Sequence, residues 1–234
     1  MELPKIDLPI YEIILPSNNE KVKYRPFTVK EEKVFLIAKE SKDTDQNILS
    51  IKQVLNNCLI DKSIDDLALF DIEYLLLAIR GKSVNNTADF IITDPETFEE
   101  VKLKLDVNDV QVKRDPTHSN KIRLNDEYTL FMKYPNIDLF KILTSGIKAK
   151  DPLVYYNIML SCMEKIASSE AIYHFKDFTA EEIDKFIENL ENDIISRIEN
   201  FFNTAPKLRH EIKYTNTLGH EKTFVIEGTD SFFI

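Results

Sequence analysis

Glycine is scarce, with 4 residues in 234. A phosphate-cradling loop or a long flexible linker needs several glycines close together, so both are excluded. Cysteine is limited to Cys58 and Cys162, each inside an apolar, helix-like stretch. That placement predicts two buried free thiols in a reducing compartment rather than a disulfide. No apolar run approaches the ~20 residues that a bilayer span requires; Leu75–Ile79 is among the longest. Met1–Asp7 is short and acidic with no apolar stretch behind it, so no secretion signal is predicted. Positive charge is also in deficit, with 30 Lys and Arg against 40 Asp and Glu and a net charge of −10. Such a chain is repelled by nucleic-acid phosphates and by anionic membranes, so neither is expected as a partner. The most basic stretch, Lys102–Arg123, alternates its charges with apolar residues, as the wet face of a sheet does.

Signals of chemistry are missing as well. His118, His174, His210 and His220 stand in no metal-ligand spacing with one another or with cysteine. There is no nucleophile elbow, Walker loop or dinucleotide fingerprint. A triad gathered from distant residues leaves no local pattern, and a hydrolase needs converged carboxylates or a metal site that the sequence does not display. Adjacent acids occur at Glu31-Glu32, Asp65-Asp66, Glu99-Glu100 and Glu181-Glu182. Three of these pairs fall at predicted helix starts, where negative charge complements the helix dipole. No catalytic, cofactor-binding or metal-ligating residue is predicted.

What the chain does have is a core. Hydrophobic residues make up 43%, with 15 Phe and 9 Tyr, an ordinary globular composition. Tyr11–Leu15, a turn at Pro16–Asn19, and Val22 and Tyr24 predict an N-terminal β-hairpin. Thr28 and Glu31 have capping-box spacing and open a helix to about Glu40, buried through Val34, Phe35 and Ile37. Helices are predicted over 46–60 and over 69–81, the latter with Gly81 as C-cap. Ala88–Thr93, the strict alternation of Val101, Leu103, Leu105 and Val107, and the stretch Tyr128–Tyr134 predict a small antiparallel sheet inserted at about 88–134. Arg114–Asn120 reads as an exposed loop. Helices follow over 137–144, from Pro152 to about Ala167, and over 180–203 behind a second capping box at Thr179 and Glu182. His210–Thr215 and Lys222–Glu227 predict a C-terminal hairpin. The fold class is α+β: a mostly helical body in a single domain, 1–234, carrying the 88–134 insertion.

Tandem aromatics are the richest signal. Phe201-Phe202 and Phe232-Phe233 place neighbours on different faces, so one of each pair is free to meet a partner. Phe232-Phe233-Ile234 is an apolar stretch that needs a docking place, on its own domain or on another subunit.

Three segments, YRPFTVKEEKVFLIAKE at 24–40, FDIEYLLLAIRGKSV at 70–84 and IENFFNTAPKLRHEIKY at 198–214 running on to GTDSFFI, resemble the baseplate hub subunit family of T-even-like contractile-tail bacteriophages. The resemblance implies a non-enzymatic structural or assembly subunit of the tail baseplate hub, assembled in the host cytoplasm. Its partners are then other hub proteins and the tape-measure protein, with homo-oligomerisation open. The alternative is a tail-assembly chaperone that covers the tape-measure protein and is absent from the finished particle. Interface candidates are Phe201, Phe202, Phe232, Phe233, Ile234 and Arg80, arginine being a frequent interface anchor. Relatives often carry a cysteine pair around the last hairpin turn, in the manner of a zinc ribbon. Here Tyr214–His220 has no cysteine, so the hairpin is expected to rely on Ile212, Tyr214, Phe224 and Ile226.

Overall fold

The computed structural model describes residues 6–227 apart from 42, 84, 85 and 152. The predicted α+β class is what it shows, with several small antiparallel sheets and hairpins near both ends. The chain divides into two compact units, Met1–Lys113 with Lys207–Ile234, and Arg114–Pro206.

In the first unit β1 (Tyr11–Ile14) and β2 (Lys21–Tyr24) form the expected hairpin, and β3 (Leu59–Ile60) extends it. Three helices follow: α1 (Val29–Ser41), α2 (Thr44–Cys58) and α3 (Leu69–Ser83). The Asp43 side chain accepts from the Asp45 amide to start α2. Helix α3 is the spine, with Phe70, Leu75, Leu77 and Ile79 buried, and even Asp71 and Glu73 shielded. It runs through Gly81 to Ser83. Gly81 is therefore not the C-cap, and the Ser83 hydroxyl closes the last turn by donating to the Ile79 carbonyl at 2.6 Å. Helix α1 departs from expectation on one residue: Ile37 is 67% exposed, while Glu31 and Ala38 take the buried face.

Strands β4 (Thr87–Thr93) and β5 (Glu100–Asp106) pair with each other, and β6 (Gln111–Lys113) joins the C-terminal hairpin. That hairpin is β11 (Lys207–Thr215) and β12 (Glu221–Glu227), in the order β12-β11-β6. Lys113 and Lys207, where the chain leaves and re-enters this unit, are register partners.

In the second unit β7 (Lys121–Arg123) and β8 (Thr129–Met132) join β9 (Met163–Ala167) and β10 (Ile172–His174) in a four-stranded sheet. The strands expected over 88–134 thus exist, but they pair in three sheets. Alternation reveals which face of a strand is dry; it does not reveal its partner. Four helices complete the unit: α4 (Ile137–Ala149), α5 (Val154–Ser161), α6 (Ala180–Glu188) and α7 (Asn192–Asn203). The helix predicted to continue to Ala167 ends at Ser161, because Cys162 caps it and 163–167 pairs as β9 with β8 and β10. The helix predicted over 180–203 breaks at Asn189, whose side chain donates to the Lys185 carbonyl at 2.6 Å and replaces a helical amide. The core holds Leu130, Met132, Ile187, Ile194, Ile198 and Phe201.

Both cysteines are free and buried as expected; burial pushes the Cys58 thiol up to about 11 and the Cys162 thiol to about 12. Helices α4 and α5 meet at Gly146, where an added Cβ falls 2.3 Å from the Val154 Cγ2. Gly146→Ala therefore forces the pair apart and is expected to cost about 2 kcal/mol net of its better helix propensity. A lowered urea midpoint with an unchanged slope is the expected reading.

Candidate functional site

A groove of ≈ 590 Å³ lies in the second unit. Sheet and helices build it together. Leu124, Tyr128 and Ile166 come from the β7–β9 region, Phe175 and Phe178 from the turn after β10, and Ile183, Phe186 and Ile194 from α6 and α7. The Thr179 capping box positions the wall. Thr179 Oγ1 accepts from the Glu182 amide at 3.3 Å, and the Thr179 amide donates to Glu182 Oε2 at 2.8 Å. The floor is continuous with the core. Tyr173 and Phe178 are each 42% exposed at the mouth. The polar lining is Asn125, Glu182, Asn189 and Glu191, without a cation. The lining is suited to apolar side chains; it offers no paired acid and base and no nucleophile with a base beside it.

A second cluster sits in the first unit, where the β4–β5 turn grips the tip of the C-terminal hairpin. Asp94 is fully buried and accepts from the Glu96 amide, the Thr97 amide and the Tyr214 hydroxyl at 2.9, 2.8 and 2.7 Å. Burial opposes its ionisation, but these donors outweigh burial and hold the carboxyl well below its usual range. Glu96 is drawn down to about 2 by Lys222, then by His220, with Asn216 also donating to it. Thr217 Oγ1 donates to Glu99 at 2.7 Å. Gly219, at φ +83°, supplies the left-handed residue that the tip needs. Ile226 is buried and Ile212, Tyr214 and Phe224 are half-buried. The hairpin is thus held by polar contacts at its tip as well as by the expected apolar residues.

The remaining predicted residues fall in different places. Phe201 is 2% exposed, stacked on Tyr134 at 5.3 Å and against His118 at 5.2 Å. It is a core residue, so of that pair Phe202, half-buried on the edge of the core, is the one left to face outward. Arg80 is half-buried in the last turn of α3. Phe232, Phe233 and Ile234 lie outside the described residues.

His118 is not a plain surface histidine. Its Nδ1 faces Thr204 Oγ1 at 2.9 Å and its Nε2 faces the Tyr134 hydroxyl at 2.8 Å, which pins the otherwise exposed 114–120 loop. Since the Thr204 hydroxyl donates to the Asn200 carbonyl, Nδ1 carries the proton. Burial lowers the His118 pKa.

Of the acid pairs, Glu31-Glu32 and Glu181-Glu182 occupy first turns of helices. Asp65-Asp66 lies in the turn ahead of α3 instead, with Asp65 paired to Lys52 at 2.7 Å. Among the described residues no group of three His, Cys, Asp or Glu is placed to hold a metal ion. No described helix is long and apolar enough to cross a membrane. The groove was missed in the sequence because its lining comes from residues 124 to 194. The one local signal was the aromatic run Tyr173, Phe175 and Phe178 between a strand and a helix.

A protein-family model described as T4 bacteriophage base plate protein matches residues 8–234. No curated protein and no solved structure matches the chain. The chain belongs to the T4 bacteriophage base plate protein family, a family of phage baseplate proteins.

Proposed function

We propose that this member of the baseplate family is a structural or assembly subunit of the baseplate hub. It acts without catalysis, through contacts with other hub proteins and the tape-measure protein. The family match across nearly the whole chain carries the baseplate role, and the resemblance at 24–40, 70–84 and 198–214 supports the hub. Phe202, Arg80, Phe232, Phe233 and Ile234 are its proposed contact residues. An open apolar groove, lined by aromatics and lacking convergent polar groups, supports work done by binding rather than by chemistry.

The same groove favours a second reading. A chaperone that shields the tape-measure protein until the tube forms also needs an exposed apolar surface. Quantitative mass spectrometry of purified particles separates the two. A fixed copy number per baseplate is expected for the hub subunit. Absence from particles, with abundance in infected cells beside the tape-measure protein, selects the chaperone.

A further inference from the structure

We infer that the groove of the second unit binds a short segment of another protein, one carrying two or more large apolar side chains flanked by Lys or Arg. The inference holds whichever of the two readings above is right, because it concerns one surface and the chemistry of what fills it.

Shape supplies the first argument. A concavity of ≈ 590 Å³ lies within the range that buries most of a bound group. Tyr173 and Phe178 stand 42% exposed at its mouth. A concavity lined mainly by apolar and aromatic side chains is the kind of place where a bound group sits.

Charge supplies the second. Glu182 and Glu191 line the groove. Glu127 and Glu170 lie near the Tyr128 phenol, Glu127 through a hydrogen bond. Of the cations close by, Arg123 is paired with Asp126, Arg197 with Asp193 and Lys185 with Glu181, while Lys176 stands in the turn after β10 next to Asp177. An apolar floor whose lining carries two carboxylates and no Lys or Arg is complementary to apolar side chains with cationic flanks, and repels acidic ones.

The same charge argues against the protein itself as occupant. Its own aromatic segment, Phe232-Phe233-Ile234, follows Glu227 and Asp230, and the whole chain carries −10. A second copy brings like charge to the rim.

The test is selection from a random peptide library on the immobilised full-length protein, followed by affinity measurement on the recovered peptides. Peptides rich in Phe, Leu and Ile with Lys or Arg flanks are expected. Phe178→Asp and Tyr173→Asp, each checked for folding by circular dichroism, should each weaken binding by about tenfold or more, as central interface aromatics do. Glu191→Lys should weaken it by about threefold at low salt and less at high salt. Ile142→Asp, the same change in charge at an exposed α4 position, should leave affinity unchanged.

Recovery of acidic or uncharged peptides overturns the proposal, as does equal loss in Ile142→Asp and Phe178→Asp, or a library that yields no groove-dependent peptide. A synthetic peptide of residues 227–234 that competes equally well makes the chain's own segment the occupant. A dimer in sedimentation that Phe178→Asp dissociates makes it a second copy. Either result overturns a cationic partner.

Discussion

Phe201→Ala will lower the unfolding free energy by about 4 kcal/mol, the cost of deleting a fully buried aromatic ring. The ring is 2% exposed, near the end of α7. It stacks on Tyr134 with planes 20° apart, and meets Phe202 edge-on at 5.1 Å. Its loss removes more than its own contacts. His118 rests on the same ring and links Thr204 to Tyr134, so the cavity opens beneath a hydrogen-bonded chain that fixes the 114–120 loop. The urea midpoint should fall with the slope kept. Phe202→Ala should cost less, since that side chain is only half-buried. The pair thus separates a fully buried position from a half-buried one at adjacent places in α7. Equal stability of Phe201→Ala and the parent protein is the outcome that sinks this assignment.

Local patterns were legible wherever the physics is local. Alternation over 101–107 marked β5, and Leu103 and Leu105 are buried as its period requires. Thr179 and Glu182 read as a capping box and form one in both directions. Thr28 and Glu31 share that spacing, and there too the Thr28 amide and hydroxyl donate to the carboxylate, which Arg25 also engages. That further partner, Arg25, enters ahead of Pro26, and no spacing rule includes it.

Pairing and breaks were less legible, because they depend on competition between alternatives. The apolar period runs unbroken from Ile183 through Leu190 to Ile198, so the pattern describes one helix. Asn189 interrupts it with a side-chain bond that leaves the hydrophobic register intact. Strands β6 and β8 find partners far along the chain in β11 and β9, and alternation carries no address. The groove is the extreme case. Its walls come from a sheet edge, a turn and two helices, and its acidic rim exists only once those are assembled. The tandem aromatics announced that something was buried and something exposed. They did not say that Phe201 is the inner member, since adjacent helical positions differ only by about 100° about the axis.

Glu31→Gln is expected to destabilise the protein by about 3 kcal/mol at neutral pH, because it breaks a buried ion pair and leaves the guanidinium without its anion. Glu31 is 2% exposed. Arg25 addresses it with both terminal nitrogens, at 3.0 and 3.4 Å, and the Thr28 amide adds a bond of 2.8 Å. The Arg25 amide is itself tied to the Cys58 carbonyl at 2.9 Å, and Phe27 is bonded to Ser83. The pair therefore joins the start of α1 to the ends of α2 and α3. Burial works against the charge on Glu31, yet Arg25 and then Thr28 prevail and bring its pKa from 4.5 to about 2. A carboxyl depressed on folding stabilises above its unfolded value and loses that contribution as pH falls. The parent protein should keep the full effect above about pH 4.5 and shed it towards pH 2. Glutamine cannot ionise, so the gap between parent and variant should close over the same window. Urea midpoints of both proteins at stepped pH measure that gap. A difference that stays constant down to pH 2 means that packing, not the charge on Glu31, is what the substitution removed.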